Sequence, residues 1–158
     1  MKNLTLSSKI CLWLATLFGA GYVPLMPGTA GSILAVLIYC LVKTPLSFFI
    51  ITIGVVIISF PISDYAEAIF GVKDCKKIVI DDFAGMLITF LFIPKDMGFL
   101  FILAGFFVFR MLDMIKIPPA NLVEKYNGAK GIVGDDIVAG LYSNIILQSV
   151  RLLLKTFA

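Results

Sequence analysis

Histidine is absent from this 158-residue chain. That excludes His-dependent nucleophiles, phosphohistidine enzymes, two-His phosphatases and His-ligated metals together. Charge is scarce as well. Only 15% of residues are charged and 60% are hydrophobic, whereas soluble globular chains carry about 25% charge and 45–50% apolar residues. An ordinary cytosolic fold is therefore not expected, and a disordered chain is excluded. The formal net charge of +3 is too small for a nucleic-acid binder, which needs a clustered basic face. The three cysteines, Cys11, Cys40 and Cys75, form no CxxC pair, so a zinc cluster or thioredoxin motif is ruled out. Cys11 and Cys40 lie in apolar runs and read as small hydrophobes. Cys75 lacks the arginine that a Cys-x₅-Arg phosphate cradle requires, no Asp-x-Asp triplet occurs, and no loop ends in GK[ST].

What the chain does have is apolar length. Apolar runs occupy residues 32–42, 46–62, 83–93, 99–109 and 137–154, with polar breaks between them. Their lengths and lack of strict alternation favour helices over strands. A bilayer core takes about 20 apolar helical residues, and exposed backbone is forbidden in lipid. The sequence therefore predicts an all-α fold: a small helical membrane-embedded bundle with about four or five apolar helices, one domain over residues 1–158. Residues 10–18 follow Lys2 and Lys9 and superficially resemble a signal peptide, but no small-residue cleavage site follows. They read as mature structure, able to lie along a membrane surface. Tight turns at 43–45 and 94–97 put those turns on one side and the loops 63–81 and 115–135 on the other. The second side holds Lys2, Lys9, Lys73, Lys76, Lys77, Lys116, Lys125 and Lys130, which makes it the cytoplasmic side.

The acidic residues are few, ten in all, and four of them form two adjacent pairs, Asp81-Asp82 and Asp135-Asp136. Each pair is expected to open an apolar segment, where the positive end of the helix dipole favours acids. Capping accounts for one acid per helix; it does not account for two adjacent acids twice. Arg110 and Asp113, three apart, share a helix face and can pair. Ionisable groups at lipid depth are expensive and point to function. The stretch Pro27-Gly28-Thr29-Ala30-Gly31-Ser32 precedes an apolar helix and offers free amides and hydroxyls to an anion. In this topology all four features meet on the cytoplasmic side. Clustered carboxylates repel one another unless a cation neutralises them, and oxygen-only donors select a hard ion, Mg²⁺ being the natural one. Arg110, Lys116 and the amides of 28–32 are placed to hold a phosphate beside it, which points to a reaction on a lipid phosphate.

The residues Phe18-Gly19-Ala20-Gly21 through Pro27-Gly28-Thr29-Ala30-Gly31-Ser32 resemble the opening motif of the phosphatidylglycerophosphatase A family. Ile80-Asp81-Asp82-Phe83-Ala84-Gly85-Met86 resembles its second motif. Phe109-Arg110-Met111-Leu112-Asp113-Met114-Ile115-Lys116, with Gly131 and Gly134-Asp135-Asp136-Ile137-Val138-Ala139-Gly140, resembles its third. The likeness runs over most of residues 17–142. It implies a Mg²⁺-dependent membrane enzyme of bacterial phospholipid synthesis, in the inner (cytoplasmic) membrane, removing the terminal phosphate of phosphatidylglycerophosphate. The chain departs from the family pattern twice: Asp82 stands where the family usually has Glu, and Ile117 intervenes before Pro118-Pro119. Asp74 and, less closely, Glu67 align with family acids.

The expected roles follow. Asp81, Asp82, Asp113, Asp135 and Asp136 are candidate Mg²⁺ ligands. Asp81, Asp113, Asp136 and Arg110 are candidate catalytic residues. Gly28, Thr29, Gly31, Ser32, Arg110 and Lys116 are candidate phosphate-binding residues. The expected partners are a phospholipid substrate and the membrane, with no nucleic acid. The alternatives are another lipid phosphomonoesterase, an ion-coupled transporter, which would carry its acids at mid-span, and a structural membrane subunit, which gives the paired acids no cause.

Overall fold

The computed structural model describes residues 5–73, 75–123 and 128–157. Among them are six α-helices of ten residues or more, one single turn and no strand. The helices are α1 Leu6–Ala15, α2 Pro27–Leu41, α3 Pro45–Phe70, α4 Ile80–Thr89, α5 Phe99–Ile115, the single turn α6 Ala120–Val123, and α7 Ala129–Phe157. Their ends follow local chemistry. Thr44 caps α3 by accepting from the Ser47 N–H at 3.2 Å, and Pro45 occupies the first helical position. Gly71 closes α3 in the left-handed conformation at φ 66°.

The all-α expectation holds, but the expected four or five embedded helices are corrected to two with the length and apolarity to span. Among the described residues, only α3 and α7 are long and apolar enough to cross a membrane. At about 1.5 Å per residue they reach about 39 and 44 Å, beyond the roughly 30 Å hydrocarbon core. Just 28% and 22% of their most apolar stretches are buried within the protein. The run at 83–93 was expected among the embedded segments, and its helix is a core element instead. It belongs to α4, a ten-residue helix in which every residue except Asp82 is buried. Helices α7, α2, α3 and α5 surround it. Composition cannot distinguish a helix that faces lipid from one that faces other helices.

A short buried helix leaves carbonyls without donors at its C-terminal end, which is costly away from water. Helix α7 supplies the donors. Asn144 Nδ2 donates to the carbonyls of Thr89 and Leu91 at 3.0 and 2.8 Å, and Gln148 Nε2 donates to Leu91 at 3.2 Å. The α4–α7 contact is close because glycines face each other. A Cβ on Gly85 would stand 2.6 Å from the Asp136 carbonyl oxygen, and one on Gly140 would meet the Gly85 carbonyl. Beyond this seam the main core gathers Tyr39, Phe48, Phe83, Met86, Phe90 and Phe109. Tyr39 stacks on Phe90 at 4.7 Å.

The two tight turns do lie together. Tyr39 donates its hydroxyl to the carbonyls of Ile93 and Pro94, both at 3.1 Å, and Lys95 Nζ donates to the Cys40 carbonyl at 3.2 Å. The starts of α2, α4 and α7 and the end of α5 lie at the other end, where the acidic residues are.

Candidate active site

Asp81 and Asp82 fall in the first turn of α4, as expected. Asp81 Oδ1 accepts the Asp82 N–H at 2.9 Å. The second pair departs from the expectation. Helix α7 begins at Ala129, so Asp135 and Asp136 sit nearly two turns inside it rather than at its start. The glycines at 128, 131 and 134 read as a loop but serve packing: Gly131 is buried, and a Cβ on Gly134 would run into Val123. Asp64 of α3 anchors the true start of the helix by accepting the Ala129 N–H. The helix dipole therefore bears on the first pair, which opens α4, and not on the second.

All five expected ligand residues line one cleft of about 400 Å³, together with Gly28, Arg110 and Lys116. Asp81, Asp82 and Asp136 converge most tightly. Each offers a carboxylate oxygen, and the three oxygens lie within 4.8 Å of one another. Asp81 and Asp136 are 7% and 5% exposed. Asp113 and Asp135 are held at the side by cations. Arg110 Nη1 forms ion pairs with Asp82 and, at 3.0 Å, with Asp113 Oδ2. Lys116 Nζ pairs with Asp135 Oδ2 at 2.8 Å, while Asp135 Oδ1 is buried with no partner among the described residues. Lys116 adopts a left-handed backbone at φ 51°, a conformation that disfavours a side chain, and the pair with Asp135 is the contact it makes there.

Burial, reinforced by the neighbouring Asp82, pushes the Asp81 carboxyl well above the usual carboxylate range. Burial pushes Asp82 up to about 7, with Arg110 pulling the other way. As the protein stands, protons offset the repulsion in this nest. The donor set fits a hard divalent cation: oxygen only, three convergent carboxylates and one buried orphan oxygen nearby.

The expected phosphate loop divides. Gly28 lines the cleft, and the Asp82 carboxylate approaches it so closely that no Cβ fits. Thr29, Gly31 and Ser32 are outside the residues that line it. A Cβ on Gly31 would lie 2.8 Å from the Val79 carbonyl oxygen, so this glycine brings α2 against the entry to α4. The Thr29 and Ser32 hydroxyls are buried without partners among the described residues. Asp74 lies outside the described residues. The sequence reading missed Lys76, Leu25 and Met26, which also line the cleft. It missed Asp64 as an anchor too. Lys76 had one signal, its place in the basic stretch five residues before Asp81; Leu25 and Met26 had none.

Comparison with known proteins identifies the family. The family model described as Phosphatidylglycerophosphatase A matches residues 13–151. A protein of Escherichia coli named "Phosphatidylglycerophosphatase A" is 37% identical, covering 87% of this chain and 81% of its own. One of the same name from Haemophilus influenzae is 33% identical, covering 96% and 94%. A protein of Bacteroides thetaiotaomicron named "Putative phosphatidylinositol-3-phosphatase" is 30% identical, covering 87% and 91%. No solved structure matches at a significant level. With all but the ends of the chain matched and every aspartate of the two pairs inside the matched region, the chain belongs to the phosphatidylglycerophosphatase A family of phosphatases.

Proposed function

We propose that the protein hydrolyses the terminal phosphomonoester of phosphatidylglycerophosphate, giving phosphatidylglycerol and phosphate, with Mg²⁺ held by Asp81, Asp82 and Asp136. The observation that carries this reading is the convergence of those three carboxylates within 4.8 Å. We place the site at the cytoplasmic face of the bacterial inner membrane, on the lysine-rich side.

When bound, the cation supplies Lewis-acid polarisation of a phosphoryl oxygen and lowers the pKa of a water. The rest of the work falls to the chain. Asp81, Asp82 and Asp136 hold the nest. Arg110, spanning Asp82 and Asp113, is positioned to meet charge developing on the phosphoryl oxygens. Lys116 pairs with Asp135 at 2.8 Å and holds that carboxylate at the side of the nest. Gly28 leaves space where a side chain would enter the nest. Asp113, which stands outside the three-carboxylate nest and beside Arg110, serves as general base or as direct nucleophile. Unaided phosphate-monoester hydrolysis is slow enough that the site must supply on the order of 20 kcal/mol.

A transporter would carry its acids at mid-span, whereas these lie at one end of the bundle: the first turn of α4, the last turns of α5 and the opening turns of α7. The test is phosphate release by purified protein from phosphatidylglycerophosphate with Mg²⁺. Release abolished by EDTA and restored by Mg²⁺ is the expected result; no release refutes the reading. Phosphatidylinositol 3-phosphate as a parallel substrate separates the two activities for which the relatives are named.

A further inference from the structure

We propose that Lys76 is a specificity-determining residue that binds the second phosphate of the lipid headgroup, the phosphodiester that joins the glycerol to the acyl-bearing half. The proposal rests on the phosphatase reading above. Among the described residues, three basic side chains line the cleft: Lys76, Arg110 and Lys116. Arg110 is committed to Asp82 and Asp113, and Lys116 to Asp135. Lys76 is exposed and makes no ion pair among the described residues. The next residue, Lys77, is occupied elsewhere, with its Nζ 5.2 Å from the Tyr22 ring centroid and 5.6 Å from that of Phe70.

Charge makes the same point. Once a divalent cation displaces the protons from the nest, five carboxylates against that cation, Arg110 and Lys116 leave the cleft one charge negative. A lipid carrying both a phosphomonoester and a phosphodiester still brings more negative charge than this balance tolerates, and Lys76 is the remaining cation in the lining among the described residues.

The order of groups matches as well. The stretch from Gly21 through the first turns of α2 packs against the segment entering α4: Gly21 abuts the Lys77 carbonyl, Gly31 abuts Val79 and Gly28 abuts Asp82. Lys76 is exposed and Asp81 is buried, so passing from Lys76 to Asp81 leads from the rim to the carboxylate nest. Leu25, 96% exposed, and Met26, 57% exposed, form an apolar wall of the same cleft. The lipid runs from acyl chains to diester, glycerol and monoester. With its monoester at the nest, its diester falls toward the rim, where Lys76 stands, and its chains leave over apolar residues.

The experiment compares wild type, Lys76→Met and Lys76→Arg in mixed micelles. It measures kcat and KM for phosphatidylglycerophosphate, and the inhibition constant of phosphatidic acid, which has a phosphomonoester but no diester beyond it. Lys76→Met is expected to raise KM about fivefold to tenfold, keep kcat within about twofold, and leave phosphatidic acid inhibition unchanged. Lys76→Arg is expected to restore KM. An unchanged KM in Lys76→Met, or an equal weakening of both lipids, overturns the role of Lys76 while the phosphatase reading stands. Wild-type protein that releases no phosphate overturns the phosphatase reading itself.

Discussion

The seam between α4 and α7 sets the spacing of the carboxylates, and one methyl group tests it. In Gly85→Ala the new Cβ would lie 2.6 Å from the Asp136 carbonyl oxygen and 2.7 and 2.8 Å from two ring carbons of Phe109. Ordinary contact begins near 3.4 Å, so the backbone contact must open by about 0.8 Å. The ring can turn, but the carbonyl is fixed in α7. The helices therefore part along the line that joins Asp81 and Asp82 to Asp136. Overpacking of this kind costs about 1–3 kcal/mol of stability. A misplacement near 1 Å costs about 100-fold in rate. The expected result is a variant that still inserts and folds, with a modestly lower melting temperature and turnover reduced about 100-fold. Gly54→Ala is the control: nothing lies within 4 Å of its added Cβ, and alanine favours a helix interior over glycine by about 1 kcal/mol. It should match or exceed wild type in thermal stability at full activity. Phosphate release and thermal unfolding in the same detergent measure both. Wild-type turnover in Gly85→Ala would show that the seam does not set the metal nest.

Asp81→Asn and Asp136→Asn should each abolish phosphate release while leaving a folded, membrane-inserted protein by circular dichroism and gel filtration; full activity removes that residue from the site. Mg²⁺ at about 100 times its dissociation constant should stabilise the protein by about 2.7 kcal/mol, read as a rise in melting temperature that EDTA reverses. That rise should grow with pH. The Asp82 carboxyl is raised from its ordinary 3.8 to about 7, so the stability of the metal-free protein that depends on its protonated form is present below about 4 and lost as pH passes about 7. A cation competes with that proton at pH 5 and not at pH 8, and an equal Mg²⁺ effect at both would refute the assignment. Asn144→Leu strips donors from the Thr89 and Leu91 carbonyls and should cost about 1–3 kcal/mol in thermal unfolding, whereas an unchanged midpoint would mean those carbonyls find other donors.

The parts of the site that could be read from sequence were those fixed by local spacing. Arg110 and Asp113 pair because three residues on a helix bring side chains to one face, whatever surrounds them, and the structure shows that pair at 3.0 Å. Asp81 and Asp82 open a helix because acids suit the positive end of its dipole, and α4 begins one residue before them. What failed needed knowledge of the neighbours. Gly128, Gly131 and Gly134 carry the usual signature of a loop, yet Gly131 and Gly134 lie inside α7 and Gly128 directly precedes it, where small residues admit Asp64 and Val123 at close range. That single misreading displaced the second aspartate pair from a helix interior to a helix end, and with it the explanation of why the pair is there. The count of spanning helices failed for a related reason. An apolar run records that its side chains avoid water; it does not record whether lipid or protein replaces the water. For α4 it is protein on nearly every side, and its orphan carbonyls are answered by Asn144 and Gln148 from the helix whose Asp136 completes the carboxylate nest. One helix thus both closes the polar ends of α4 and supplies the third carboxylate. A change at this seam should therefore disturb stability and chemistry together, whereas a change at Lys76 on the cleft rim should reach the substrate alone.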